Sequence, residues 1–131
     1  MILLDTHALV WWVADATRLS PRAKRAIRGA LHGGHVMASA ISMFEIATAI
    51  RRRRLVLAVP AEQWLADVRL LPELRFEPVN ADIAEIAGTF DETVPGDPAD
   101  RIIAATAISL AVPLVTADER LRSAPRLRVV W

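Results

Sequence analysis

The chain has 131 residues, a formal net charge of +1 and no cysteine. That length suits one domain spanning residues 1–131 with a core of its own. The missing thiols exclude disulfide staples, thiolate metal sites and cysteine catalysis, and they fit a cytoplasmic protein. Although 53% of the residues are apolar, the uncharged stretch Ile102–Ala117 is broken by Pro113 and is shorter than the ~20 residues a membrane helix needs, so no membrane partner is expected. Met1–Leu4 has no basic residues before its apolar run, which argues against a signal peptide.

In chain order, Ile2-Leu3-Leu4 reads as a short buried strand ended by Asp5, and Thr6–Ala14 as a helix offering Leu9, Val10, Trp12 and Val13 to the core. Ser20-Pro21 supplies a capping hydroxyl and a first-turn proline for a helix that stops at Gly33-Gly34. His35–Ser39 is expected to be a second strand. A helix from Ser42 to about Arg53 follows, with Ser42-x-x-Glu45 in the form of a capping box. Another helix follows Pro60 through Trp64, Leu65, Val68 and Leu71, and Arg75–Val79 reads as a third strand. Asn80 caps a helix through Ile83, Ile86, Ala87 and Phe90. After a Thr93–Pro98 loop, Pro98 opens a helix to about Ala111. Leu114–Thr116 is a fourth strand, and Leu127–Val130 a possible fifth. Apolar strands alternating with helices imply an α/β fold: a mostly parallel sheet of four or five strands covered on both faces.

Charge is unevenly distributed. Met1–Arg54 holds three acids, Asp5, Asp15 and Glu45, beside five basic residues between Arg18 and Arg28 and the run Arg51–Arg54. Ala61–Asp100 holds ten acids against Arg69 and Arg75. An anionic partner on one face and plain solvated helix faces both account for this. The Arg51–Arg54 run suits RNA phosphate, and equally the negative end of its helix.

Ligands of parallel sheets bind beyond the carboxyl ends of the strands. Asp5 and Asp118 follow strands there, and Asp97 and Asp100 share a face of one helix's first turn. Each acid also has a purely structural reading. Glu45 serves equally as a capping-box partner, Asp97 as an N-cap and Asp100 as a complement to the helix dipole. Asp5, placed straight after apolar strand residues, is the hardest to explain without a pairing partner. If these acids converge, they form an all-oxygen site suited to Mg²⁺ or Mn²⁺ and to phosphodiester hydrolysis. His7, His32 and His35 give little support to a histidine mechanism, and Trp11, Trp12 and Trp64 read as core or interface.

Four segments carry a family resemblance: Met1–His7, Ala38–Ala47, Gly96–Ala107 and Leu114–Asp118. Together they resemble PIN-domain ribonucleases, specifically the VapC-type toxins of toxin–antitoxin pairs, from end to end and in the family's order. The resemblance implies a three-layer α/β/α PIN-like fold. It also implies a magnesium-dependent endoribonuclease that cuts tRNA or rRNA through metal-activated water, leaving a 5′ phosphate and a 3′ hydroxyl. Asp5, Glu45, Asp100 and Asp118 correspond to the family's catalytic acids. Asp5, Asp100 and Asp118, with Asp97, correspond to its metal ligands. Thr6, Ser42 and Thr116 would stand near the metal or the scissile phosphate, and Arg101 would meet phosphate or pair with an acid. Expected partners are RNA, a small antitoxin and a second copy of the chain, giving a homodimer and a heterotetramer or larger assembly. The alternative is a catalytically inactive PIN-like module that binds RNA or protein. Phosphoacceptor receivers and haloacid-dehalogenase phosphatases fit poorly, since Lys24 is misplaced for the first and His7 stands where the second needs an acid. The run Arg51–Leu55 departs from the family, which usually has a glycine in this turn.

Overall fold

The computed structural model describes residues 1–131. Five strands, β1 (Leu3–Leu4), β2 (Val36–Ser39), β3 (Leu74–Glu77), β4 (Leu114–Val115) and β5 (Val129–Val130), form one sheet in the order β3-β2-β1-β4-β5. Every pairing is parallel. Six helices connect them: α1 (Thr6–Ala14), α2 (Pro21–His32), α3 (Ile41–Arg51), α4 (Ala61–Arg69), α5 (Ala81–Thr89) and α6 (Pro98–Leu110). Short 3-10 turns at Ala16–Arg18 and Glu119–Leu121 complete the chain. The expected α/β architecture is what the chain adopts.

The layers follow from the two-residue period of the strands. Leu4, Ala38 and Val115 pack with α1, α2, α3 and α4 on one face, beside Leu9, Ile27, Ile46 and Trp64. Their neighbours Leu3, Met37 and Leu114 point the other way, onto Ile103, Ala104 and Ala107 of α6. α5 packs against α6 through Ile83, Ala87 and Ala105. Alanines at 104, 105 and 107 leave room for α6 to lie close to the sheet and to α5 at once.

Strand limits differ from the sequence reading: β1, β2, β4 and β5 are shorter, and β3 shifts to Leu74–Glu77 from the expected Arg75–Val79. β2 begins at Val36 and β3 at Leu74, and Thr116 lies just past β4 while its amide still bonds Val130 carbonyl at 3.2 Å. The capping box at Ser42 does not form: α3 starts at Ile41 after Ala40, which offers no side-chain cap. The Ser39 hydroxyl instead accepts from the Ile41 amide at 3.2 Å, and Ser42, fully buried, turns toward α1. Real caps stand at Asp5, Ser20, Asn80 and Asp97, each accepting from amides two or three residues on.

α3 ends without glycine. Arg53 amide bonds Ile50 carbonyl at 3.0 Å and Arg54 amide bonds Ala49 carbonyl at 2.8 Å, the paired bonds of a Schellman turn. Arg53 occupies the left-handed position at φ 58°, where a side chain is disfavoured.

Candidate active site

The strand order reverses beside β1: the chain goes to β2 on one side and to β4 on the other. Residues at the carboxyl ends of β1 and β4 therefore face one crevice. Asp5 follows β1, with its amide on Val115 carbonyl at 3.0 Å. It also caps α1, accepting the Ala8 amide at 2.7 Å. Beyond β4, the Thr116 hydroxyl accepts the Asp118 amide at 3.0 Å and shapes the turn that carries Asp118.

Two helix starts bring in the remaining acids. The first turn of α6 carries Asp97, which accepts the Ala99 amide at 2.9 Å and the Asp100 amide at 3.2 Å, with Asp100 three residues on. Glu45 projects from α3. One oxygen from each of Glu45, Asp97 and Asp100 lies within 4.8 Å of the other two. Asp97 is thus both a cap and a member of the acidic trio. Thr6 links α1 to α3, donating to Glu45 Oε1 and lying 2.9 Å from Ser42 Oγ. That contact explains Glu45 and Ser42 better than a cap would.

Electrostatics mark the cluster as cation-seeking. Burial, then the charges of Asp97, Glu45, Asp118 and Asp5, push the Asp100 carboxyl up to about 6. Burial raises Asp5 above the usual carboxylate range, against the hydrogen bonds of the Thr116 hydroxyl and Ala8 amide. Burial likewise raises Glu45, against the Thr6 hydroxyl and with added repulsion from Asp97. Carboxyls that repel in this way gain from sharing a cation. The donors are all oxygen, so the set fits Mg²⁺ or Mn²⁺.

Asp118 is drawn aside. Arg120 grips it at both oxygens, Nε to Oδ1 at 2.9 Å and a terminal nitrogen to Oδ2 at 2.7 Å, and holds its carboxyl below the usual range. The same guanidinium lies 3.9 Å from Asp100. Sequence reasoning missed Arg120, although its place two residues after Asp118 was a visible signal. Arg101, by contrast, neither pairs with an acid nor reaches into the groove. Its guanidinium donates to the carbonyls of Ala87 (3.0 Å), Val94 (3.3 Å), Pro95 (3.5 Å) and Phe90, tying down the loop before α6. The helix phase of α6 decides this: Asp97 and Asp100 face the groove, and Arg101 turns toward α5.

The acids line a groove of about 1010 Å³. Trp11, Phe44, Arg18 and three of the four arginines that end and follow α3, Arg51, Arg52 and Arg54, line it as well. His7 is exposed on the same groove, its ring 5.6 Å from that of Trp11. Trp64 is buried in the core, as expected.

Acids from β1, α3, α6 and the β4 turn line one groove at the carboxyl edge of the parallel sheet, with Glu45, Asp97 and Asp100 close enough to share one cation and Asp5 and Asp118 outside that trio. A model of the PIN domain matches residues 2–127, and the chain belongs to the PIN-domain family. It is 41% identical to ribonuclease VapC22 of Mycobacterium tuberculosis, over 99% of this chain and 98% of that protein. The fold resembles a VapBC2 complex of Rickettsia felis bound to a promoter DNA fragment, with a TM-score of 0.70 at 16% identity over 98% and 97% of the two chains. It also resembles VapC20 of M. tuberculosis, described as a sarcin–ricin-loop-cleaving toxin, with a TM-score of 0.61 at 23% identity over 98% and 99%.

Proposed function

We propose that residues 1–131 act as a single PIN-like domain, the toxin of a toxin–antitoxin pair, and that this domain is a Mg²⁺-dependent endoribonuclease acting in the cytoplasm on a loop of tRNA or rRNA. The meeting of Glu45, Asp97 and Asp100 within 4.8 Å, beside Asp5 at the carboxyl edge of the sheet, carries this reading. The 41% identity to VapC22 supports the ribonuclease part. Structures of VapBC complexes with the same fold support a small antitoxin partner, and we extend this to a homodimer of the chain within a heterotetramer or larger assembly.

Asp5, Asp97, Asp100 and Asp118 would hold the metal, and Mn²⁺ would substitute for Mg²⁺. Once bound, the ion neutralises charge that develops on the phosphate and lowers the pKa of nearby water. Glu45 orients the attacking water and accepts its proton, a role its raised affinity for protons favours. Thr6 fixes the Glu45 carboxylate, and Thr116 fixes that of Asp5. Ser42 holds Thr6 in place from α3. Water attacks phosphorus in line, the bond from phosphorus to the 3′ oxygen breaks, that oxygen takes a proton from solvent while Glu45 returns its own to solvent, and the products are a 3′ hydroxyl and a 5′ phosphate.

The test is cleavage of total RNA by the purified chain in Mg²⁺, with the new 5′ ends sequenced. We expect discrete sites, and Asp5→Ala should abolish them while RNA binding persists. Intact RNA with Mg²⁺ and with Mn²⁺ would favour the inactive binding module instead.

A further inference from the structure

We infer that Arg51, Arg52 and Arg54, with Arg18 over the Trp11 ring, form a phosphate-binding subsite that grips a single RNA strand alongside the carboxylates. This inference rests on the nuclease reading, and it gives the Arg51–Arg54 run a function that helix capping alone would not require.

Three observations carry it. First, one face of α3 runs along the groove: Ile41, Glu45, Thr48 with Ala49, and Arg52 recur every three or four residues and all line it. At 1.5 Å per residue, Glu45 and Arg52 stand about 10 Å apart along the helix, the length of about three stacked nucleotides. Second, the Schellman turn sorts the run. Arg51, Arg52 and Arg54 line the groove, while Arg53 does not and carries the left-handed backbone. A glycine there would close the turn without strain. Third, these cations have no partners. The ion pairs of the structure both belong to Arg120, so Arg18, Arg51, Arg52 and Arg54 face the groove with their charge uncompensated. Arg18 is held over the Trp11 ring at 4.8 Å, which limits the freedom lost when it binds.

A groove lined by both carboxylates and unpaired guanidiniums suits an RNA backbone better than an acidic peptide. Guanidinium forks match phosphate and carboxylate oxygens alike, but an RNA strand presents a phosphate at every nucleotide, whereas a peptide presents carboxylates only where Asp or Glu falls. Such contacts position the strand without reading its bases.

The probe is a 5′-fluorescein single-stranded oligouridine RNA of 20 nucleotides. Its binding to the full chain is followed by fluorescence anisotropy in EDTA, from 50 to 300 mM KCl. Replacing Arg51, Arg52 and Arg54 together by Gln should weaken binding at low salt by at least about tenfold. The slope of log affinity against log salt should flatten by about 2, since each lost phosphate contact on a single strand removes about 0.7. The matching triple Lys variant should keep the slope, and Arg53→Gly should change neither value. Circular dichroism of each variant separates a lost contact from a lost fold. An unchanged slope in a folded Gln variant would overturn the inference. So would a Gln variant that keeps RNA binding but loses a protein partner, because the surface would then belong to that partner. If the wild-type chain binds this RNA through these arginines but cleaves no RNA in Mg²⁺, the subsite stands and the nuclease reading fails. Cleavage that the Gln variant leaves untouched gives the opposite result.

Discussion

Arg120 is the residue with the most to say about the acidic cluster. Its guanidinium takes both oxygens of Asp118 and approaches Asp100, so it would compete with a divalent ion bound by these carboxylates for the same lone pairs. It is also 69% exposed, so its grip is screened by water and its release costs little. Arg120→Ala should therefore tighten Mn²⁺ binding by about two- to fivefold, measured by calorimetry on the chain without RNA. Unchanged or weaker binding would show that the arginine supports the Asp118 geometry more than it competes. Thr6 shows a different kind of residue-level effect. A short hydroxyl at the start of α1 joins Ser42 and Glu45 of α3, so one side chain sets the aim of another that lies 39 positions away.

Among the elements, α6 does most to build the site. Its first turn presents Asp97 and Asp100 to the groove, and Arg101, one position on, anchors the loop before it. Four carbonyls and the Phe90 ring, 5.6 Å away, receive the Arg101 guanidinium. Arg101→Met should cost about 2 kcal/mol, because hydrogen bonds from a charged donor are lost and their acceptors stay partly buried. A thermal melt reads that loss, and a drop in Mn²⁺ affinity should accompany it as the α6 entry loosens. An unchanged melting temperature would mean water replaces the guanidinium freely. The sequence placed this helix well, because Pro98 and the acids of its first turn are local signals. It could not place Arg101: a side chain beside an acid in sequence looks like a partner, and only the helix phase turns it away. The Ser42-x-x-Glu45 pattern misled for a related reason. A capping box and a buried tertiary contact use the same residue types at the same spacing, and α1 decides between them by bringing Thr6 alongside.

Taken whole, the molecule is held together against its own site. Asp100 titrates at about 6 when folded, against an ordinary 3.8, and Asp5 and Glu45 shift in the same direction. A raised carboxyl stabilises the fold below its unfolded pKa, and that contribution is lost as pH rises through the folded value. Asp118 shifts the opposite way, so it adds stability above its unfolded pKa that is lost as pH falls through its lowered folded value. With three raised acids against one lowered at the site, the metal-free chain should melt at a lower temperature at pH 6.5 than at pH 5, as measured by calorimetry in EDTA. Mg²⁺ should restore stability at pH 7 and have little effect at pH 5, since protons and metal compete for the same oxygens. Asp100→Asn should flatten the pH dependence. A chain whose melting temperature rises steadily from pH 5 to 7 without metal would contradict the proposed crowding of the acids.

What the sequence by itself determined is the alternation of buried strands and capped helices, the parallel sheet, and the list of acids at strand and helix ends. These follow from local rules: apolar runs, hydroxyl and carboxylate caps, and proline at a first turn. The tertiary structure alone decided which acids share space, that Arg120 sits among them, that Arg101 does not, and which of Arg51–Arg54 face the groove. Those outcomes depend on sheet order and helix phase, which bring together residues such as Asp5 and Asp118 that lie more than a hundred positions apart along the chain. No window of sequence contains that distance, because packing sets it.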